Sequence, residues 1–134
     1  MLRRLVFVLF VFGCTPPGDP GELVSSNVRL DGASSENDPD SFGTVMCKND
    51  NGNAFVGWID DRDGQTDVWV NRSIDAGRSW MPAPVKINRG DSDVYAIDMA
   101  CTNDAVYVVW EDDRDGELEN HQIYFNRSNA TGDE

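Results

Sequence analysis

The chain repeats itself. Val45 to Trp80 and Met99 to Glu134 can be laid one over the other. Trp58 then falls on Trp110, Asp60-Asp61-Arg62-Asp63-Gly64 on Asp112-Asp113-Arg114-Asp115-Gly116, and Asn71-Arg72-Ser73 on Asn126-Arg127-Ser128. A period of about 50 residues is too long for a coiled coil or a leucine-rich repeat and falls in the range of radial β-arrays. Within each copy, Ala54 to Ile59 and Ala105 to Trp110 are β-branched and aromatic runs bounded by Asn, Asp and Gly, the pattern of strands. Both faces of these runs are apolar, as expected where neighbouring sheets cover both sides. Val45 to Cys47, Val68 to Asn71 and Val85 to Asn88 supply further strands in the first copy. Met99 to Cys101 and Ile123 to Asn126 do so in the second. About four antiparallel strands per repeat, and no convincing helix after the N-terminal segment, predict an all-β fold of the propeller kind. About two units are present, residues 41–90 and 91–134.

Ahead of the repeats lies a segment of different character. Arg3 and Arg4 precede an unbroken apolar run, Leu5 to Phe12, which is shorter than the roughly 20 residues that span a bilayer as a helix. This is the layout of an export signal over residues 1–13. Val11-Phe12-Gly13-Cys14 resembles the bacterial lipobox, with Phe12 bulkier than that pattern prefers. The resemblance implies cleavage before Cys14 and acylation of Cys14, a stable anchor because more than one acyl chain is attached. Residues 14–40 open with a Pro- and Gly-rich stretch, Thr15 to Leu23, and read as a tether. The expected location is the bacterial cell envelope, with Thr15 hinting at the outer membrane.

Composition narrows the partners. A formal net charge of -13 argues against nucleic acid, which requires clustered Lys and Arg. It also leaves the lipid, not charge, as the means of membrane attachment. The three cysteines, Cys14, Cys47 and Cys101, have no metal-site spacing. Cys47 and Cys101 hold equivalent places in the two copies, where the Cα separation is expected to exceed the roughly 7 Å that a bridge tolerates. Buried free thiols are the expectation, with a disulfide left open by an oxidising compartment.

After the third strand of the first copy comes Ser73-Ile74-Asp75-Ala76-Gly77-Arg78-Ser79-Trp80. It resembles the Asp-box, S/T-x-D-x-G-x-x-W/F, of the bacterial neuraminidase (sialidase) repeat family, through Ser73, Asp75, Gly77 and Trp80. Asp75 is suited to accept hydrogen bonds from turn amides, Gly77 to take a positive φ, and Trp80 to cover the hairpin. The second copy, from Ser128 to Glu134, keeps the Ser and Gly, has Ala130 in place of the Asp and stops before the aromatic. The resemblance implies a sialidase-type propeller, in which this motif is a structural turn. Because the sequence stops inside a hairpin, a fragment of a longer protein is the expectation, with a small unit assembling into a ring as the alternative.

The family's enzymes hold the substrate carboxylate with three arginines and use a Tyr–Glu pair with an Asp acid/base. No residue here is assignable to that set, and Arg29 is a lone candidate for an arginine of the triad. Catalysis is therefore not expected of this chain. A non-catalytic module binding a glycan or protein is the leading reading, and part of a sialidase-like glycoside hydrolase the alternative. The DDRDG loops fall at the end of the repeats opposite the Asp-box turn. Glu111, Asp113, Asp115 and Glu119, around Gly116, approximate a calcium loop with alternating oxygen ligands. The first copy offers Asp61, Asp63 and Asp67 but has Ile59 in the first place. Solvated acidic turns in which Arg62 and Arg114 pair with neighbouring carboxylates are the plainer alternative. Trp58, Trp69 and Trp110 are expected in the core, and the N-x-S sequons at Asn71 and Asn126 are not expected to be glycosylated. His121 lies in a loop and is given no role.

Overall fold

In the computed structural model, residues 27–32, 38–115 and 120–129 are described. Residues 1–13, the acylation candidate Cys14 and the loop residue Glu119 lie outside them. Seven strands and no helix occur among the described residues. The strands are β1 (Ser41–Lys48), β2 (Ala54–Asp60), β3 (Asp67–Ser73), β4 (Val85–Lys86), β5 (Val94–Cys101), β6 (Ala105–Asp112) and β7 (Gln122–Asn129). They form two antiparallel sheets, ordered β1-β2-β3-β4 and β5-β6-β7. The chain is therefore all-β. Each expected strand is present, and all but the short β4 run beyond the residues that foretold them.

The sheets pack face to face. Phe55, Ile59 and Val68 of the first meet Val94, Met99, Val106, Val108 and Trp110 of the second in one core. Close approach needs Gly57 in the middle of β2. A Cβ there would lie 2.8 Å from Met99 Cε and 3.1 Å from Ile97 Cδ1. Loop amides join the sheets at one end, where Asp50 N donates to Asn103 Oδ1 at 3.0 Å. β2 is buried along nearly its whole length, as a strand covered on both sides should be. β6 and β7 are not. On the side facing away from the first sheet, Val109, Ile123 and Phe125 are 37%, 69% and 63% exposed.

Cys47 and Cys101 are joined in a disulfide, with a Cα–Cα distance of 5.7 Å, which overturns the expectation of free thiols. The reason is strand register. Cys47 pairs with Phe55, three residues before Trp58, so its side chain lies on the opposite face from that Trp. Cys101 pairs with Val106, four residues before Trp110, so it shares the face of that Trp. Matched positions therefore point in opposite senses and meet across the interface.

Candidate functional site

The DDRDG loops follow β2 and β6 and so emerge at the same end of both sheets. Each is locked by its first Asp. Asp60, with no exposed surface, accepts from Trp58 Nε1 at 2.7 Å, Arg62 N at 3.2 Å and Arg62 Nε at 2.8 Å. Asp112, equally buried, accepts from Trp110 Nε1 at 2.9 Å, Arg114 N at 3.2 Å and Arg114 Nε at 3.1 Å. Two-residue spacing puts Trp and Asp on one strand face, and the turn brings Arg back over them. Cross-strand pairing of Trp58 with Trp69 and of Trp110 with Tyr124 sets the ring beneath each guanidinium. Arg62 lies 4.2 Å from the Trp69 centroid and Arg114 3.9 Å from that of Tyr124. Burial drives the Asp112 carboxyl upward, but the bonds from Arg114 and Trp110 outweigh it and hold the group below its ordinary value.

The second Asp of each loop also has a matching role. Asp61 Oδ1 accepts the backbone N–H of Asp40 at 3.0 Å, and Asp113 Oδ1 that of Asp93 at 3.0 Å. Each staples its loop to the start of the first strand of its sheet. These four carboxylates are turn-forming groups.

Around the second loop the structure gathers side chains that the sequence did not link. Tyr95 and His121 are stacked, with centroids 4.0 Å apart and planes 10° from parallel. His121 Nδ1 lies 2.6 Å from Glu111 Oε1, and Tyr95 OH donates to Asp113 Oδ2 at 3.1 Å. Burial and the bond to Asp113 raise the Tyr95 hydroxyl above its ordinary value. Tyr124 OH donates to Asp115, which pushes the phenol up to about 12. His121 was missed because its link to Glu111 is diagonal across the β6–β7 ladder, visible only once Ile123 is paired with Glu111. Tyr95 sits where the β5–β6 register shifts between Val94 and Ala96, an irregularity without a sequence signature.

Of the calcium candidates, Glu111, Asp113 and Asp115 are thus engaged by three different partners, while Glu119 lies outside the described residues. Among the described residues no three His, Cys, Asp or Glu side chains converge as a metal site. In the first repeat Ile59 is core, and Lys86 Nζ contacts Asp67 Oδ2 at 2.6 Å and Asp63 Oδ2 at 3.6 Å. Asn88 Nδ2 donates to Asp67 Oδ1 at 2.8 Å. Arg29 is held by Asp31 and Asp38, at 2.6 Å and 3.0 Å, on the exposed surface.

The Ser73–Trp80 turn lies at the other end of the first sheet. Ser73 Oγ donates to Asp75 Oδ1 at 2.8 Å and accepts from Gly77 N at 2.8 Å. Asp75 accepts from Ser79 N at 2.8 Å and Ser79 Oγ at 2.6 Å, and these bonds pull its carboxyl down to about 2. Gly77 has φ 86°, and Ala76 precedes it at 64°. Trp80 is half-buried. The turn is also tied to the β1–β2 loop, where Ala76 N donates to Gly52 O at 2.8 Å.

No family model matches the sequence, and no match is found among curated proteins or among solved structures.

The loop end thus offers an exposed aromatic pair ringed by carboxylates on a rigid base. Such a surface suits hydroxyl-rich, neutral or cationic ligands, because added negative charge there meets Glu111, Asp113 and Asp115.

Proposed function

We propose that this chain is an extracytoplasmic, lipid-anchored module of sialidase-like propeller repeats, which binds a glycan or protein ligand without transforming it. The observation that carries the proposal is the Tyr95–His121 stack, held by Glu111 and Asp113 on the locked DDRDG loop. A flat aromatic pair fixed at both ends loses little conformational freedom when a sugar face or a side chain lies on it. The anchoring rests on the segment ending at Cys14, and the repeat type on the Ser73–Trp80 motif and the duplicated Trp-x-Asp-Asp-Arg clamp. The ligand is a neutral or cationic glycan, or a basic protein segment.

The test is calorimetric titration of the chain with neutral, amino-substituted and sialylated oligosaccharides and with basic peptides. Binding is expected for neutral or cationic ligands and is weakened up to about tenfold by Tyr95→Ala, the scale of one aromatic contact. Preference for sialylated ligands, or affinity unchanged in Tyr95→Ala, rejects the proposal. Release of free sugar during the titration restores the hydrolase alternative.

A further inference from the structure

The second sheet turns one face to the first and the other to solvent. Alternation along each strand fixes which residues stand on the solvent face. They include Ala96, Asp98 and Ala100 on β5 and Ile123, Phe125 and Arg127 on β7, all exposed. β6 runs between these strands, and pairing through Val109 sets Asp98 and Phe125 in one row. The rows on either side hold Ala96 with Ile123 and Ala100 with Arg127. One outer strand of the face is therefore low and acidic, the other tall and basic. Arg127 lies over the face, its guanidinium carbon 6.0 Å from the Tyr107 centroid, and no acidic side chain pairs with it among the described residues. Tyr107 also stacks with Phe125, at 6.1 Å between centroids.

Two arrangements compete to cover such a face. The first is a further sheet seated as the second sheet sits on the first. That seating depends on Gly57, where a Cβ would lie 2.8 Å from Met99 Cε. With Trp58 laid on Trp110, the residue in the place of Gly57 is Val109, 37% exposed at the centre of the face. Its side chain fills the space that the close approach requires. The second arrangement is the same face of another copy. A two-fold axis along β6 lays β7 of one copy over β5 of the other, row on row. Ile123 then stands over Ala96, and Phe125 enters beside Asp98 between the two alanines, so bulk meets space. Arg127 falls one row, about 7 Å, from Asp98 of the other copy, within the reach of its side chain. Symmetry makes that contact twice. Twisted sheets packed face to face, with strands about 30° apart, are compatible with this geometry.

We propose that the solvent face of the second sheet is a self-association surface, covered by the same face of a second copy of the chain about a two-fold axis along β6. Size and charge single out this occupant, because the face is complementary to itself only when β5 and β7 are exchanged. Three strands give a small interface, so the dimer is reversible rather than obligate. The net charge of -13 on each chain opposes association, and the two Arg127–Asp98 contacts offset it locally. Rows are preserved across the axis, so the Tyr95–His121 pairs of both copies lie at the same end. On the binding role proposed above, this doubles the valence toward a ligand surface.

The test is sedimentation velocity of the full chain carrying Cys14→Ser, which removes the one cysteine outside the Cys47–Cys101 bridge. Concentrations run from about 1 μM to about 1 mM at about 0.15 M salt. The mass is expected to rise from one chain to two and to stop there. Asp98→Arg and Arg127→Asp are each expected to weaken association at least about tenfold, because each sets like charges together twice. Both positions are exposed, so near-ultraviolet dichroism is expected to match that of the unsubstituted chain. An equimolar mixture of the two variants restores both oppositely charged contacts and is expected to recover the original association. Recovery in the mixture also shows that both variants are folded. Four results overturn the proposal. They are a monomer throughout the range, growth beyond two chains, a dimer indifferent to either reversal, and a mixture that stays monomeric.

Discussion

A fully buried carboxylate costs several kcal/mol unless its lone pairs are met by charged or well-aligned donors. Asp60 and Asp112 satisfy that condition with one indole and one arginine each. Asp112→Ala is therefore expected to lower unfolding free energy by about 3–5 kcal/mol, because Arg114 is left without its partner. Asp112→Asn, which keeps an acceptor for Trp110 Nε1, is expected to cost less. Urea unfolding followed by Trp fluorescence measures both, and an alanine variant near wild-type stability contradicts the clamp. Asp75 supplies a second residue-scale expectation. Its folded value of about 2 lies below the ordinary 3.8, so the stability it contributes is full above 3.8 and is lost as pH falls toward 2. Asp75→Asn should flatten that part of the acid limb in a thermal-melt series from pH 5 to pH 2. An unchanged slope contradicts the assignment.

At the scale of strands and turns, the legible parts were those written in local sequence. β2 and β6 follow from β-branched and aromatic runs, and the Ser73–Trp80 turn from side chains that bond within eight residues. Trp58 and Trp110 are buried as expected, at 3% and 5% exposure. Register was not legible. Whether Cys47 and Cys101 face each other depends on Cys47 pairing with Phe55 and Cys101 with Val106, three and four residues before the matched Trp, and an odd shift reverses every side chain. The same dependence hid the Tyr95–His121–Glu111 cluster, whose members come from β5, from β6 and from the residue just before β7. The disulfide tests the register directly. It closes a sequence separation of 54, so its loss through Cys47→Ser is expected to cost about 2–5 kcal/mol. Calorimetric scans with and without reductant measure this, and identical melting temperatures contradict it.

For the whole molecule the dominant quantity is charge, 24 acidic against 11 basic residues. Arg29, Arg62, Lys86 and Arg114 are already committed to local carboxylates, so the remaining acids repel one another across a small structure. Two effects of salt then compete. Screening weakens exposed pairs such as Arg29–Asp31, which are worth little, and it weakens the general repulsion, which acts over distances near the Debye length. That length falls from about 30 Å at 0.01 M to about 8 Å at 0.15 M. The buried clamps at Asp60 and Asp112 are screened much less. Repulsion therefore decides the sign, and the melting temperature is expected to rise as sodium chloride increases over this range. A fall would mean that exposed ion pairs outweigh the net charge. Calcium chloride at matched ionic strength separates the acidic loop from the general field. Equal melting temperatures are expected from the separate partners of Glu111, Asp113 and Asp115. A calcium-specific excess abolished by Asp113→Asn would instead place an ion on that loop.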